Sequence, residues 1–559
     1  METTPSLKKS TFKHSSRKRS SHLCIASVGI LMMGAVPFAS ADDQFVSDSG
    51  NVTFSTEELY TGGNFIPPDN ADYYEGTGQR DAFLVIDGAT VTFAGGADIK
   101  IQNSEDKTAF IRVGNNYENG TLNIEEGATL TVGSITRYAN FQIGNWGGTG
   151  VVNQSGGNVT VIGSFEVGNQ GGTGTYRMTG GTLDLGVSGG IAGNYSLARS
   201  TPDGDASQGT FQLDGGNLNL NKGYMTLSSR TVGNGTQGTG IFTQTSGTFT
   251  VRDTTQLAFT GENASGEGIY NLNGGTLAVG GQSLRAEYDR AHSESTNGRY
   301  EFNLGGGTIK VIDSDLHTAV NATLVEDTTS EIDTNGFNAT WSGSLTGDGH
   351  LKKTGSGELT LSGSSNTYTG TTEITAGTLL VTSRTGSGDV TIRAGATLSG
   401  TGIVAGAATI EGRLDSAALT FEKGLTLEST ASTVMKITGL NAGEFDAITV
   451  TGGNFILGGE LTLNITGELQ FGDSLNLFDL DASVEPSSNF DLVTLAGIYG
   501  LGNFTWQDDH WLATLDGAYF TFDVASGVLN FEAIPEPGSW ALLAGGAALT
   551  CWLRRRKKA

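Results

Sequence analysis

Cysteine is almost missing: the 559 residues hold two, Cys24 and Cys551, each inside a terminal apolar segment. Without those segments the chain has no thiol, which excludes a disulfide framework, a thiol nucleophile and a Cys-based metal site. Proline is scarce as well, at 8 residues against 85 glycines. With no fixed Gly-X-Y period, this is neither collagen nor a proline-rich linker. The six histidines, His14, His22, His292, His317, His350 and His510, include no pair at helical or finger spacing, so a dedicated transition-metal site is not expected. Basic residues are rare outside the two ends. Residues 1–41 carry six Lys/Arg and one Glu, and residues 554–559 carry five more; removing +5 and +5 from the net −26 leaves −36 between them. A body that acidic repels nucleic acid and anionic lipid and favours solubility, cations or basic partners. The glycine turns at 147–150 and 171–174 have neither a following helix nor a P-loop lysine, so they are not nucleotide loops. Val151 and Thr175 follow them where a calcium-binding nonapeptide repeat would carry Asp. No cofactor is expected, with calcium at scattered carboxylates left open.

Between the glycines, Thr, Val, Leu, Ile, Phe and Asn alternate in short runs, which is strand-and-turn chemistry. One template recurs at residues 148–161, 172–185, 209–220, 238–251, 268–279 and 299–311, with an outlying copy at 120–132. Each copy is an alternating strand, a glycine turn and a second alternating strand. Taking Gly157, Gly181, Gly216, Gly247, Gly275 and Gly307 as markers, the spacings are 24, 35, 31, 28 and 32 residues. That is too long for a hairpin meander and suits one coil of a stacked solenoid, a β-sandwich array being the alternative. The expected fold is all-β: a right-handed parallel β-helix with a C-terminal β cap and a short C-terminal hydrophobic helix. A second register runs through Val113-Gly114-Asn115, Ile143-Gly144-Asn145, Val167-Gly168-Asn169, Ala192-Gly193-Asn194 and Val232-Gly233-Asn234. If these corners align, their Asn side chains form a ladder; otherwise they are five independent turns.

The two ends read as sorting signals. Lys8, Lys9, Lys13, Arg17, Lys18 and Arg19 precede an apolar run from Leu23 to Phe38 and then Ala39-Ser40-Ala41, the layout of a secretory signal peptide cut between Ala41 and Asp42. Export by the Sec translocon and signal peptidase follows. At the other end, Ile534-Pro535-Glu536-Pro537 precedes a segment from Trp540 to Leu553 and the basic stop Arg554-Arg555-Arg556-Lys557-Lys558. The prolines enforce an extended peptide, the basic cluster stays cytoplasmic, and the apolar segment is short for a permanent span of ~20 residues. These 26 residues resemble the PEP-CTERM sorting signal. The resemblance implies recognition by an exosortase, cleavage near Pro535-Glu536-Pro537 after transient membrane anchoring, and delivery to the cell surface or an exopolysaccharide matrix. A plain C-terminal membrane anchor is the alternative.

Residues 341–381 include Leu361-Ser362-Gly363, Asn366-Thr367-Tyr368-Thr369-Gly370 and Ala376-Gly377-Thr378-Leu379. They resemble the autotransporter-associated β-strand repeat of secreted bacterial passengers, which implies a β-helical passenger without catalytic residues. The ~10-residue amphipathic strands of a translocator barrel are not found at the end of this sequence, so self-transport is not expected. The chain thus divides into a signal peptide (1–41), Gly-rich β-helix repeats (42–340), the autotransporter-associated repeat region (341–415), a β-rich cap (416–533) with aromatics such as Phe471, Trp506, Trp511 and Phe520, and the sorting tail (534–559).

Because β-helices also include polysaccharide lyases and hydrolases, convergent carboxylates would mark a catalytic site. Asp313, Asp315 and His317 would share one face if their strand continues, and Asp508-Asp509-His510 forms a second cluster. Neither has a supporting motif, and both read more simply as solvated loop or strand positions. A structural or adhesive surface protein, displaying polar Thr, Asn and Ser faces to exopolysaccharide in a matrix or biofilm, is the expected function. A carbohydrate-active β-helix enzyme is the alternative.

Overall fold

A computed structural model of the chain describes residues 45–534 apart from 48–50, 56, 62–79, 86–87, 103–108, 137–138, 191, 201–204, 231–237, 262–265, 288–298 and 417. The described residues are all-β, and among them no helix is long and apolar enough to cross a membrane. The expected C-terminal helix and both sorting signals lie outside them.

Each sequence repeat forms two sides of one coil. Thr149–Gln154 buries alternate residues and turns inward again through Asn158–Val161, where Val159 and Val161 are buried. Neither strand can bury its apolar face alone, so each stacks on the next repeat: Val152 pairs in parallel with Tyr176, and Val159 with Leu183. Following the inward column from Val159, the coils measure 24 residues to Leu183, 35 to Leu218, 31 to Phe249, 28 to Leu277 and 32 to Ile309. The glycine spacing is therefore the coil length. Coils then shorten to 18 residues between Ile374, Ile392 and Ile410.

Three parallel sheets result, of nine, eleven and seventeen strands. The seventeen-stranded one is open: Glu57–Thr61 pairs only with Asp98–Gln102, and Pro486–Ser488 only with Asn454–Leu457. From Leu316 a ten-stranded sheet takes up the position of the first, joined to it where the Thr318 hydroxyl donates to Leu284 O. This is the arrangement of a parallel β-helix. Parallel pairing persists to Leu492–Gly497. An antiparallel sheet of Asp473–Asn476, Val528–Ala533, Ala518–Asp523, His510–Thr514 and Thr505–Gln507 then closes that end, shielding the strand edge and core of the last coil.

The core is one continuous column. On the second sheet Tyr176, Phe211 and Phe242 stack face to face at 5.0 and 4.9 Å, and Tyr270 and Phe302 continue the row, each contact being worth about 0.5–1.5 kcal/mol beyond burial. The two tyrosines are buried with their hydroxyls satisfied. Tyr176 donates to Gln154 Oε1 and Tyr270 to Gln244 Oε1, both at 2.6 Å.

Three of the five glycine-asparagine corners align. Asn145 donates to Asn115 at 2.8 Å and Asn169 to Asn145 at 3.0 Å. A Cβ on Gly144 would lie 2.0 Å from Thr173 O, and its φ is +65°, so that corner requires glycine. The fourth corner does not join the ladder. Asn169 is in register with Arg199, and Asn194 pairs with Tyr224; in this longer coil the ladder position falls five residues beyond Asn194. Val232-Gly233-Asn234 lies outside the described residues.

Candidate functional site

In-register stacking puts the same position of every repeat into one outward row, so surface side chains meet their own kind. On the second sheet Asn153 donates to Asn123 and Asn303 to Asn271, both at 2.9 Å. On the third, Asn219 donates to Asp184 at 2.9 Å, and farther along Arg393 bridges Glu373 and Glu411 at 2.7 Å each. Nearby, Arg384 grips Glu422 bidentately at 2.8 and 2.6 Å, which holds that carboxyl below its usual range. The Arg–Glu pairs neutralise one another along the sheet, and each exposed pair contributes at most about 1 kcal/mol.

The first sheet carries a buried polar row. The Arg112 guanidinium lies 4.3 Å over the Phe110 ring and donates to Gln142 at 2.7 Å; Gln142 donates to Glu166 at 2.7 Å, and Arg199 pairs with the same carboxylate. Every charge in the row has a partner, so it cross-links coils and presents no free acid or base.

The first of the two sequence-selected clusters does not converge, whereas the second lines one open depression. The strand begins at Leu316 and does not extend back to Asp313. Asp313 sits in a turn at φ +62° and pairs with Arg252 at 3.3 Å, whereas Asp315 accepts from the Asn338 amide at 2.8 Å and His317 is exposed on the strand. Asp508 and Asp509 form a left-handed hairpin turn at φ +47° and +66°, and with His510, Thr521 and Asp523 they line an open depression of about 370 Å³. Among the described residues no group of three or more His, Cys, Asp or Glu is arranged to hold a metal. Another open depression, about 660 Å³, lies where the second-sheet strands shorten from Arg299–Leu304 to Ala322–Leu324, and its polar rim includes Glu267, Arg299, Glu301 and Asn321. Tyr300 on its floor accepts a hydrogen bond from the Asn321 amide at 3.0 Å, and Arg299 faces Glu267 at 3.9 Å.

Ala39, Ala41, Asp42, Pro535, Glu536, Pro537, Trp540, Leu553, Arg554, Arg555 and Arg556 all lie outside the described residues.

The residue that sequence reasoning missed is Lys353. Alternation in His350–Thr354 turns Lys352 outward and Lys353 inward, into the column between Ile332 and Ile374. It is fully buried. Its Nζ donates to Thr334 Oγ1 at 3.1 Å and to the carbonyls of Thr354, Gly355 and Ala376 at 2.8, 2.8 and 3.0 Å. Burial pushes its pKa down to about 8, opposed by the charge of Asp333. Two further polar groups of the same region point inward. Asn366 accepts from Leu345 N and donates to Arg384 O, and the buried Tyr368 hydroxyl meets Thr372 Oγ1 at 2.7 Å. Lys353 and Asn366 therefore fasten turns of successive short coils, and Tyr368 is tied to Thr372 four residues on. The signal available in the sequence was a strand whose period-2 pattern puts a lysine on its apolar side.

The polar groups described above link successive coils of this β-solenoid, and one short segment of it is similar to the repeats of exported passengers. Residues 351–381 match the family model of the passenger-associated transport repeat. The Lys353, Asn366 and Tyr368 fastenings fall within that match. No curated protein matches the chain.

Proposed function

We propose that the protein is a non-enzymatic structural or adhesive scaffold of a bacterial surface, delivered by a signal peptide and an exosortase and associated with extracellular polysaccharide in a matrix or biofilm. The observation that supports this best is the passenger-associated repeat embedded in an unbroken stack of coils, since such repeats belong to exported, surface or extracellular β-solenoids. On this reading, residues 1–41 are removed after Ala41, the Trp540–Leu553 segment holds the chain in the membrane only until cleavage near Pro535-Glu536-Pro537, and the coils are right-handed, as parallel crossovers almost always are. The acidic body then faces solvent without a nucleic-acid partner.

The test is mass spectrometry of C-terminal peptides from protein recovered separately from membranes and medium of the native host. Chains in the released fraction are expected to end near residue 537. Intact tails confined to membranes would overturn sorting and leave an anchored protein. The polar ledge with Glu267, Arg299 and Glu301 supports a second reading, a carbohydrate-active enzyme, for which appearance of new reducing ends or unsaturated sugars in a purified polysaccharide would speak.

A further inference from the structure

The corner between the first and second sheets is a two-residue turn repeated in three coils. Glu118 N donates to Asn115 O, Gly148 N to Asn145 O and Gly172 N to Asn169 O, at 3.0–3.1 Å. The central pairs are Asn116-Tyr117, Trp146-Gly147 and Gln170-Gly171, all with positive φ: 52° and 66°, 48° and 70°, 51° and 79°. Such a turn is built for Asn-Gly, because both central residues are left-handed. Two positions violate that preference with the bulkiest side chains available. Tyr117 occupies the second place, where the following coils use Gly147 and Gly171, and Trp146 the first. A large side chain in this region carries strain of about 1–3 kcal/mol.

Core packing does not offset that strain. Tyr117 is 78 % exposed and Trp146 51 %, on backbones joined by the Tyr117 N to Trp146 O hydrogen bond at 3.1 Å. The Tyr117 ring lies across the next coil at Gly147, where a Cβ would come within 2.4 Å of Cε1. That glycine keeps the ring down on the corner. Beside the two rings runs the register row Asn119, Thr149, Thr173 and Gln208, all exposed, with neighbouring strands ~4.8 Å apart.

We propose that Tyr117 and Trp146 form a stacking platform for a neutral polysaccharide, whose hydroxyls are read by the amide and hydroxyl row of Asn119, Thr149, Thr173 and Gln208. Aromatic faces next to a line of uncharged donors and acceptors fit the alternating apolar faces and hydroxyl edges of sugar rings. The charge around it selects against a polyanion: the chain carries −26 overall, and Glu118 and Asp205 flank the corner, Asp205 Cβ lying 3.1 Å from the Cβ position of Gly171. The site rests on the reading of the protein as a matrix component and names the chemistry of what it holds.

The test is affinity electrophoresis of the full exported protein through gels containing dextran, hydroxyethyl cellulose or galactomannan, with alginate as the anionic gel, beside the variant Tyr117→Gly/Trp146→Asn. Both substitutions suit the turn, so the variant is expected to melt no lower than the parent. The parent is expected to be retarded by at least one neutral gel and not by alginate, with retardation falling at least tenfold in the variant. Equal retardation of parent and variant, no retardation of the parent in any neutral gel, or retardation in alginate alone would overturn the platform. Binding of both proteins to the native matrix fraction is measured in parallel. A parent that never associates with that fraction refutes the matrix reading itself, whereas equal association of parent and variant refutes only the platform.

Discussion

Replacing Lys353 with methionine keeps an unbranched side chain one heavy atom shorter and removes the charge and its three donors. The Gly355 and Ala376 carbonyls would lose their ammonium partner, while Thr354 O still accepts from Thr334 N and Oγ1 at 3.1 and 3.0 Å. Leaving buried acceptors short of a donor costs about 1–3 kcal/mol each, and relief of the ammonium's desolvation returns part of it. The net expectation for Lys353→Met at pH 7 is a loss of about 2 kcal/mol in the coils that contact it. The pH dependence sharpens the test. The folded pKa, about 8, lies below the ordinary 10.5, so between these values the unfolded state binds the proton and the folded state does not. Native stability therefore rises as pH climbs from 8 to 10.5, by about 3 kcal/mol for a shift of this size, and the methionine variant, with no proton to release, cannot follow. The gap between the two proteins widens from about 2 kcal/mol at pH 7 to about 5 at pH 10.5. Hydrogen exchange of peptides spanning residues 345–380, corrected for the intrinsic rate at each pH, measures this locally, which suits a solenoid whose coils open semi-independently. A gap that stays constant across this range, or a methionine variant better protected at pH 7, would refute the reasoning.

Two other outcomes follow from the same geometry. Asp446 is buried, accepts from Lys436 N at 2.8 Å, and has its pKa raised by burial to about 6; stability near it should fall as pH rises from 4 to 6, by about 3 kcal/mol at most, and exchange protection of residues 432–450 should lose that slope in Asp446→Asn. Gly144→Ala, with its Cβ 2.0 Å from Thr173 O, should open the corner at a cost of about 3 kcal/mol or more, whereas Gly395→Ala, also left-handed but with nothing within 4 Å, should cost only the left-handed penalty of about 1 kcal/mol; limited proteolysis of the two variants separates them.

Much of this molecule is legible because repetition converts sequence spacing directly into geometry. The glycines at 157, 181, 216, 247 and 275 recur at the coil length, and each takes the left-handed turn, φ +66° to +78°, that starts the third-sheet strand. At Gly307 the pattern slips by one, and Gly306 takes the positive φ, +107°. The Asn ladder reads correctly through Asn115, Asn145 and Asn169 and fails at Asn194, because the motif there precedes the register position. Asp313, Asp315 and His317 look collinear in the sequence, yet a left-handed residue and the late start of the strand send them to different partners.

The sequence by itself determined that the chain is β, repetitive and stacked, because a two-residue period and a glycine turn are local properties that every repeat restates. Only the tertiary structure decided what coils do to one another: which Asn meets which Asn, that Tyr176 and Tyr270 find Gln154 and Gln244, that Lys353 enters the core among carbonyls supplied by residues 354, 355 and 376, and that Tyr117 and Trp146 become neighbours 29 positions apart. Those pairings depend on loop lengths between repeats, which shift register without leaving a mark in the repeat itself.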